Sequence, residues 1–207
     1  MANIIITNIS KLKENAANRL YSSDCGEIDG MNTNDAPVKY LMKLLTDKNQ
    51  PITEIIAVTT AEAEPALEVF EKTLSDYAKE TGIKKPEIKP INASEESFAQ
   101  TIKDITAGFA SGDKAYIDTT GGFRNSSYIL MCVVRILEYS GIRLEKAVYS
   151  NLEKKCITDV TDIYRKYDLI NAVDAFTNFG NSYGLEQYFK ENISDIFHIT
   201  DTLQAEI

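Results

Sequence analysis

Asp118-Thr119-Thr120-Gly121-Gly122-Phe123-Arg124-Asn125 joins a short run of strand formers, residues 114–118 (KAYID), to an apolar pattern at helical spacing, Ile129, Val133, Ile136 and Leu137. A buried strand that turns directly into a helix is half of a βαβ unit, and in an open α/β sheet ligands bind at that end of the strand. Adjacent glycines let backbone approach a ligand closely, and a helix amino terminus offers free N–H groups with a partial positive charge. The hydroxyls of Thr119 and Thr120 are candidate donors to phosphate oxygens. With a helix expected from Arg124 or Asn125, Arg124 stands near the first helical turn, where a cation opposes the macrodipole by about 0.3 to 1 kcal/mol unless an anion compensates. The stretch is neither a GxGxxG fingerprint nor a Walker A loop, because no Gly-Lys-Ser/Thr run follows Gly122. On these residues alone, a tight turn with Arg124 paired to a carboxylate or reaching solvent explains the octet equally well.

The flanking sequence alternates strand and helix patterns, the mark of a largely parallel sheet. Strands are expected near residues 3–7, 54–59 and 86–91. Helical patterns follow at Val38, Leu41, Met42 and Leu45, over residues 61–81 with Gly82 as terminator, and from Ser94 to about Ala110 with Glu95 and Glu96 in the first turn. The helix after the octet runs to Tyr139 and ends at Gly141. Residues 146–150 and 156–160 are expected to form a hairpin across Asn151-Leu152-Glu153-Lys154. Between the first strand and first helix, the polar stretch through Ser22, Asp24, Gly26, Asp29, Gly30 and Asn32 reads as a long loop with some helix. Beyond Asp162 the pattern is helical, broken at Gly180. The expectation is an α/β, Rossmann-like, mostly parallel sheet carrying a C-terminal antiparallel hairpin, with one ligand-binding domain over residues 1–161 and a helical extension over 162–207.

At 207 residues the chain is long enough for one sizeable core and an appendage, and 43% hydrophobic with 26% charged residues excludes a mostly disordered chain. The net charge of −9 argues against binding long DNA or RNA, which rewards neutralising phosphates with Lys and Arg. No stretch approaches the ~20 apolar residues of a membrane span and the apolar run near the amino end is too short for a signal peptide, so a cytoplasmic protein without membrane contact is expected. Cys25, Cys132 and Cys156 are odd in number, scattered and without a CxxC pair, and the acidic pairs Glu62/Glu64 and Glu95/Glu96 lack His or Cys neighbours. No disulfide framework, metal site or cofactor is expected.

The octet resembles the Asp-x-Thr-His-Gly-x-Arg signature of the CARF (CRISPR-associated Rossmann fold) proteins of type III systems, with Asp118, Thr120, Gly122 and Arg124 matching and Gly121 standing where the signature often has histidine. The terminal hairpin and the helical continuation through Leu169, Val173 and Phe176 to Gly180 extend the resemblance over most of the chain. It implies a homodimer whose two pockets form one basin for a cyclic oligoadenylate, the tetramer suiting two-fold symmetry. By position the other walls of such a basin are Thr7, Asn8, Ile9 and Ser10 after the first strand, Thr59, Thr60 and Ala61 after the second, and Asn92 to Ser94 after the third. Phe123 and Asn125 belong to the octet itself. Taken singly, each of these loops reads equally well as a helix cap or turn.

Family members usually carry an effector domain, often a HEPN ribonuclease with an Arg-x4-6-His motif. That motif is absent here, since His198 has no arginine in the preceding six positions and its Ile-Phe-His-Ile setting reads as packing. The resemblance therefore implies either a sensor separated from its effector or a helical linker to an effector missing from this chain. Some sensors of this family cut their own ring with the ribose 2′-hydroxyl, a reaction that needs alignment and charge stabilisation but no metal. Thr7, Ser10, Thr120 and Arg124 are the candidates for that alignment. Two competing readings remain: a Rossmann-like enzyme acting on a mononucleotide or another phosphorylated small molecule, and a purely structural dimerisation module.

Overall fold

The computed structural model describes residues 1–12, 17–31, 33–93, 97–122 and 125–191. The chain divides into two compact units, Met1–Val160 and Thr161–Ile207.

In the first unit, eight strands form one sheet: β1 (Asn3–Asn8), β2 (Arg19–Ser23), β3 (Gly26–Gly30), β4 (Glu54–Thr59), β5 (Glu87–Asn92), β6 (Lys114–Asp118), β7 (Arg143–Asn151) and β8 (Cys156–Asp159), in the order β3-β2-β8-β7-β6-β1-β4-β5. The five strands from β7 to β5 are parallel. The central runs, such as Ile4-Ile5-Ile6 in β1 and those of β4 and β6, are buried on both faces, which explains their apolar character. The helices α1 (Asp35–Asp47) and α2 (Glu64–Thr81), the latter preceded by a 3-10 turn at Ala61–Ala63, touch each other on one face. There Ile5, Ile55, Tyr116 and Val148 share a core with Leu41, Phe70 and Leu74. The opposite face is covered by α3 (Phe98–Ala107) and α4 (Ser126–Tyr139). The outermost parallel strand, β5, carries Pro90, which lacks a ladder donor and is tolerated because one edge of β5 is unpaired.

This is a Rossmann-like α/β architecture. The chain steps from β1 outward through β4 to β5 and then crosses back to β6 on the other side of β1. The parallel strands reached next, β4 after β1 and β7 after β6, lie on opposite sides of this pair, which makes the carboxyl ends of β1 and β6 the switch point of the sheet, where a crevice opens. Asp118 to Gly122, the first five residues of the octet, lie at that crevice.

Two expectations are corrected. The polar stretch after β1 is not a loop with some helix but the antiparallel hairpin β2–β3, closed by the two-residue turn Asp24-Cys25. Tyr21 and Ile28 oppose each other and are both buried, so alternation of one apolar residue per strand outweighs the turn-rich composition. A half-buried ion pair fixes it to α1: the buried Lys39 ammonium lies 3.0 Å from Asp29 Oδ2, donates to the Asp29 carbonyl and stands over the Tyr77 ring. The helix α3 is shorter than expected, ending at Ala107 rather than near Ala110. Asp113 takes hydrogen bonds from the backbone N–H groups of Ala110 and Ala2, folding the chain into a turn before β6. Ser94, the expected cap, lies outside the described residues, as do Asn32, Glu95, Glu96 and His198.

In the second unit, α5 (Thr161–Phe179) and α6 (Tyr183–Glu191) pack as a helical hairpin across Gly180, whose φ of +66° ends α5. Gly184 sits so close to α5 that a Cβ there would lie 3.0 Å from Ala172 Cβ. None of the described helices is long and apolar enough to cross a membrane.

If the hairpin belongs to the cooperative core, Ile28→Ala should lower the unfolding free energy by about 2 to 5 kcal/mol in urea denaturation. A segment that is merely a loop would show no change.

Candidate functional site

Asp118 ends β6 with its side chain fully buried, and everything at the crevice is built around it. Its Oδ2 accepts hydrogen bonds from Thr7 Oγ1 at 2.8 Å and Asn34 Nδ2 at 2.9 Å, while Oδ1 accepts the Thr120 backbone N–H at 2.8 Å. Asn34 also donates to the Thr120 carbonyl and accepts from the Ser10 N–H at 3.0 Å. Thr120 Oγ1 accepts the Ser150 N–H of β7 at 2.7 Å, and Thr119 donates both its N–H and its hydroxyl to the Val148 carbonyl. The loop after β6 is thereby tied to β1, to the start of α1 and to β7. Burial pushes the Asp118 carboxyl up to about 6, against the lowering effect of its hydrogen bonds from Thr120, Asn34 and Thr7.

Held by that frame, Gly121 and Gly122 run at φ of +85° and +93°. No other residue fits here: a Cβ on Gly121 would collide with Ser10 Oγ, and one on Gly122 would lie 2.6 Å from Ser126 Oγ and 2.7 Å from Asn8 Cβ. The Gly122 N–H donates to Ser10 Oγ at 3.0 Å, and Ser126, at the head of α4, donates its hydroxyl to the Gly121 carbonyl. The turn borders a cleft of about 620 Å³ that is also lined by Ile9, Lys11, Thr60, Ala61 and Ala93, with the exposed pair Lys11 and Glu62 at its mouth.

The residues expected to contact ligand thus divide by position. Gly122, Ile9, Thr60 and Ala61 line the cleft, and Ser10 and Gly121 stand beside it. Thr7, Asp118, Thr119 and Thr120 are bonded within the frame, and their chemistry is used to shape the turn. Thr59 is buried, its hydroxyl donating to the Thr60 carbonyl, Asn92 is exposed at the end of β5, and Asn125 is exposed just ahead of α4. Ser94, Phe123 and Arg124 lie outside the described residues. Asn8 stands apart. It is 2% exposed, and neither Nδ2 nor Oδ1 of its amide has a hydrogen-bond partner among the described residues.

Asn34, Ser126 and Lys11 complete the site without having been singled out in the sequence, and Ala93 lines the cleft from within the expected loop Asn92 to Ser94. Asn34 precedes Asp35-Ala36-Pro37, a helix-start pattern, so local grammar reads it as a cap. The structure shows no side-chain cap bond there, and the amide reaches Asp118, 84 positions away, instead. No protein-family model matches this chain, and no curated protein matches it.

Two outcomes follow from this geometry. Gly122→Ala should cost about 1 to 3 kcal/mol through the left-handed backbone, and more if Asn8 and Ser126 cannot shift; Gly82→Ala, with φ of +71° and open space around it, is the control for strain alone. Asp118 binds its proton more tightly in the folded chain than at its ordinary 3.8. Its protonated form therefore contributes stability that is fully present below about pH 4 and is lost as pH rises through about 6. The stability gap between the parent and Asp118→Asn, measured by chemical denaturation at each pH, should shrink across that window by roughly 3 kcal/mol. A gap independent of pH would contradict a buried carboxyl whose desolvation outweighs its hydrogen bonds.

Proposed function

We propose that this chain is a CARF-type sensor domain that binds a cyclic oligoadenylate, the tetramer by preference, in a basin shared by two copies, as part of type III CRISPR antiviral signalling. The observation that carries the reading is the Gly121-Gly122 turn. Bare backbone in a conformation and a space that admit only glycine is presented at the switch point of the sheet, ahead of the amino end of α4 and on the wall of a cleft. A turn so placed suits a phosphodiester, which takes backbone N–H donors and the positive end of a helix without needing a basic surface. That matters in a chain of net charge −9. The octet's match to the family signature at Asp118, Thr120, Gly122 and Arg124 supplies the ligand class.

Each copy contributes a cleft of about 620 Å³, the scale of one or two nucleotides, so a ring of four spans two clefts across a two-fold axis. Binding at the turn then draws the two copies together, and an attached effector senses that closure. Slow ring cleavage is compatible with this site. Thr7 and Thr120 are committed to Asp118 and Ser150, which leaves Ser10, whose hydroxyl already meets the Gly122 N–H, and Arg124 to align a ribose 2′-hydroxyl with its phosphate. The same cleft volume favours a second reading, an enzyme holding one mononucleotide or other phosphorylated small molecule per chain.

Titration calorimetry with cyclic tri-, tetra- and hexa-adenylate and with AMP separates the two. The sensor reading expects one ring per two chains and a roughly 10- to 100-fold loss of affinity in Arg124→Ala, the effect of one charge-assisted contact. One mononucleotide per chain with no ring bound supports the enzyme. No binding and no thermal shift with any of these ligands removes both and leaves a structural module.

A further inference from the structure

We infer that Asn8 reads the edge of a nucleobase, so that the crevice recognises the base of its ligand and not the phosphate alone. This rests on the proposed nucleotide-binding role. Strand alternation along β1 places Thr7 and Ile9 on the face of α1 and α2 and turns Asn8 to the other face, beside Gly122, where a Cβ on Gly122 would lie 2.7 Å from Asn8 Cβ. The residue is 2% exposed and both amide atoms lack partners, an arrangement that folding alone disfavours, because buried amides are almost always paired.

The nature of the vacancy identifies the ligand. A phosphate oxygen would satisfy the Nδ2 donor and leave the Oδ1 acceptor empty, or face it with like charge. A nucleobase edge carries a donor beside an acceptor, as in adenine N6 and N7, and satisfies both amide atoms at once. The position agrees with this division of labour, since the backbone of the Gly121-Gly122 turn lies next door for the phosphodiester. Asn8 is shielded in this structure, so the base reaches it when the turn moves. Among the described residues the turn is held over β1 and α4 by two hydrogen bonds, from the Gly122 N–H to Ser10 Oγ at 3.0 Å and from Ser126 Oγ to the Gly121 carbonyl at 3.2 Å. Exchanging two such bonds for two to the amide is close to balanced, which makes the opening accessible to a ligand that binds.

The test uses Asn8→Ala and Asn8→Val, with thermal melting of the free proteins and calorimetry against cyclic tetra-adenylate, AMP and ribose 5-phosphate. An amide without partners predicts that at least one variant melts within about 2 °C of the parent or above it, and a fall of more than about 5 °C in both overturns the inference. Base reading predicts that the ring and AMP weaken at least tenfold while ribose 5-phosphate changes less than twofold. Equal weakening of all three ligands means that Asn8 only shapes the turn, and no weakening of any means that it touches nothing; either result overturns the inference while the proposed function stands. A parent protein that binds neither the ring nor AMP removes the proposed function itself, and the inference with it.

Discussion

The hydrogen bonds converging on the Asp118 carboxylate decide where the rest of the site stands. They join the end of β6 to Thr7 in β1, 111 residues earlier, and to Asn34 at the head of α1. Through Thr120 they extend to Ser150 in β7. Three segments at the same end of the sheet are thus locked by one buried carboxylate, and Thr119 and Thr120, which open the loop after β6, have little freedom left. A carboxylate in such a place is costly to desolvate, and its raised pKa is the sign of that cost. The cost is tolerated because three well-placed donors offset much of it and because a hydrophobic residue could not define the loop's direction.

The glycine turn depends on this frame. Positive φ at two consecutive residues is conformationally unfavourable to hold in place, even for glycine, whose backbone loses more entropy on ordering than any other. Thr119 and Thr120, anchored to Val148 and Ser150, supply the fixed end from which the turn springs. Ser10 and Ser126 supply the other, weaker end. A rigid root with a lightly tethered tip is the combination expected of backbone that must meet a ligand and adjust to it. Asn8, buried beside the tip with its amide unmatched, is the one place near the turn where, among the described residues, buried side-chain polar groups are left unsatisfied.

The parallel core was legible in the sequence because its central strands β1, β4 and β6 are short, rich in β-branched residues and almost wholly buried, and its helices are punctuated by glycine. Gly82 and Gly141 both take positive φ where the helices end. The β6 strand and the octet were legible for the same reason, as an abrupt change of period. The β2–β3 hairpin was not, because each of its strands buries essentially one large side chain, Tyr21 or Ile28, among residues that otherwise favour turns. Its stability comes from pairing with β8, far away in sequence, and from the Lys39 ion pair, which forms only once α1 packs on the hairpin. The site was half legible. Residue type pointed to the threonines as ligand donors, but whether a hydroxyl faces a ligand or a neighbouring carbonyl depends on the register of β6 against β7, which no local pattern carries. Asn34 was hidden by the reverse effect, a strong local signal for a role it does not play.

The helix α1 connects these observations. Its first residue follows Asn34, whose amide is built into the Asp118 frame, and Asp35 accepts the Met31 N–H at the end of β3. One turn further on, Lys39 holds Asp29 of the same hairpin from a buried position beneath Tyr77. The segment between β1 and α1 is therefore anchored twice, at the crevice by Asn34 and at the sheet edge by Lys39. This explains how a polar insertion can sit between the first strand and first helix without loosening the site. In a fold of this kind the first β–α connection normally lies over the ligand crevice. Here it is drawn away to extend the sheet, and the crevice is left to the loops after β6, β1 and β4, in agreement with the cleft bordered by Gly122, Ile9 and Thr60.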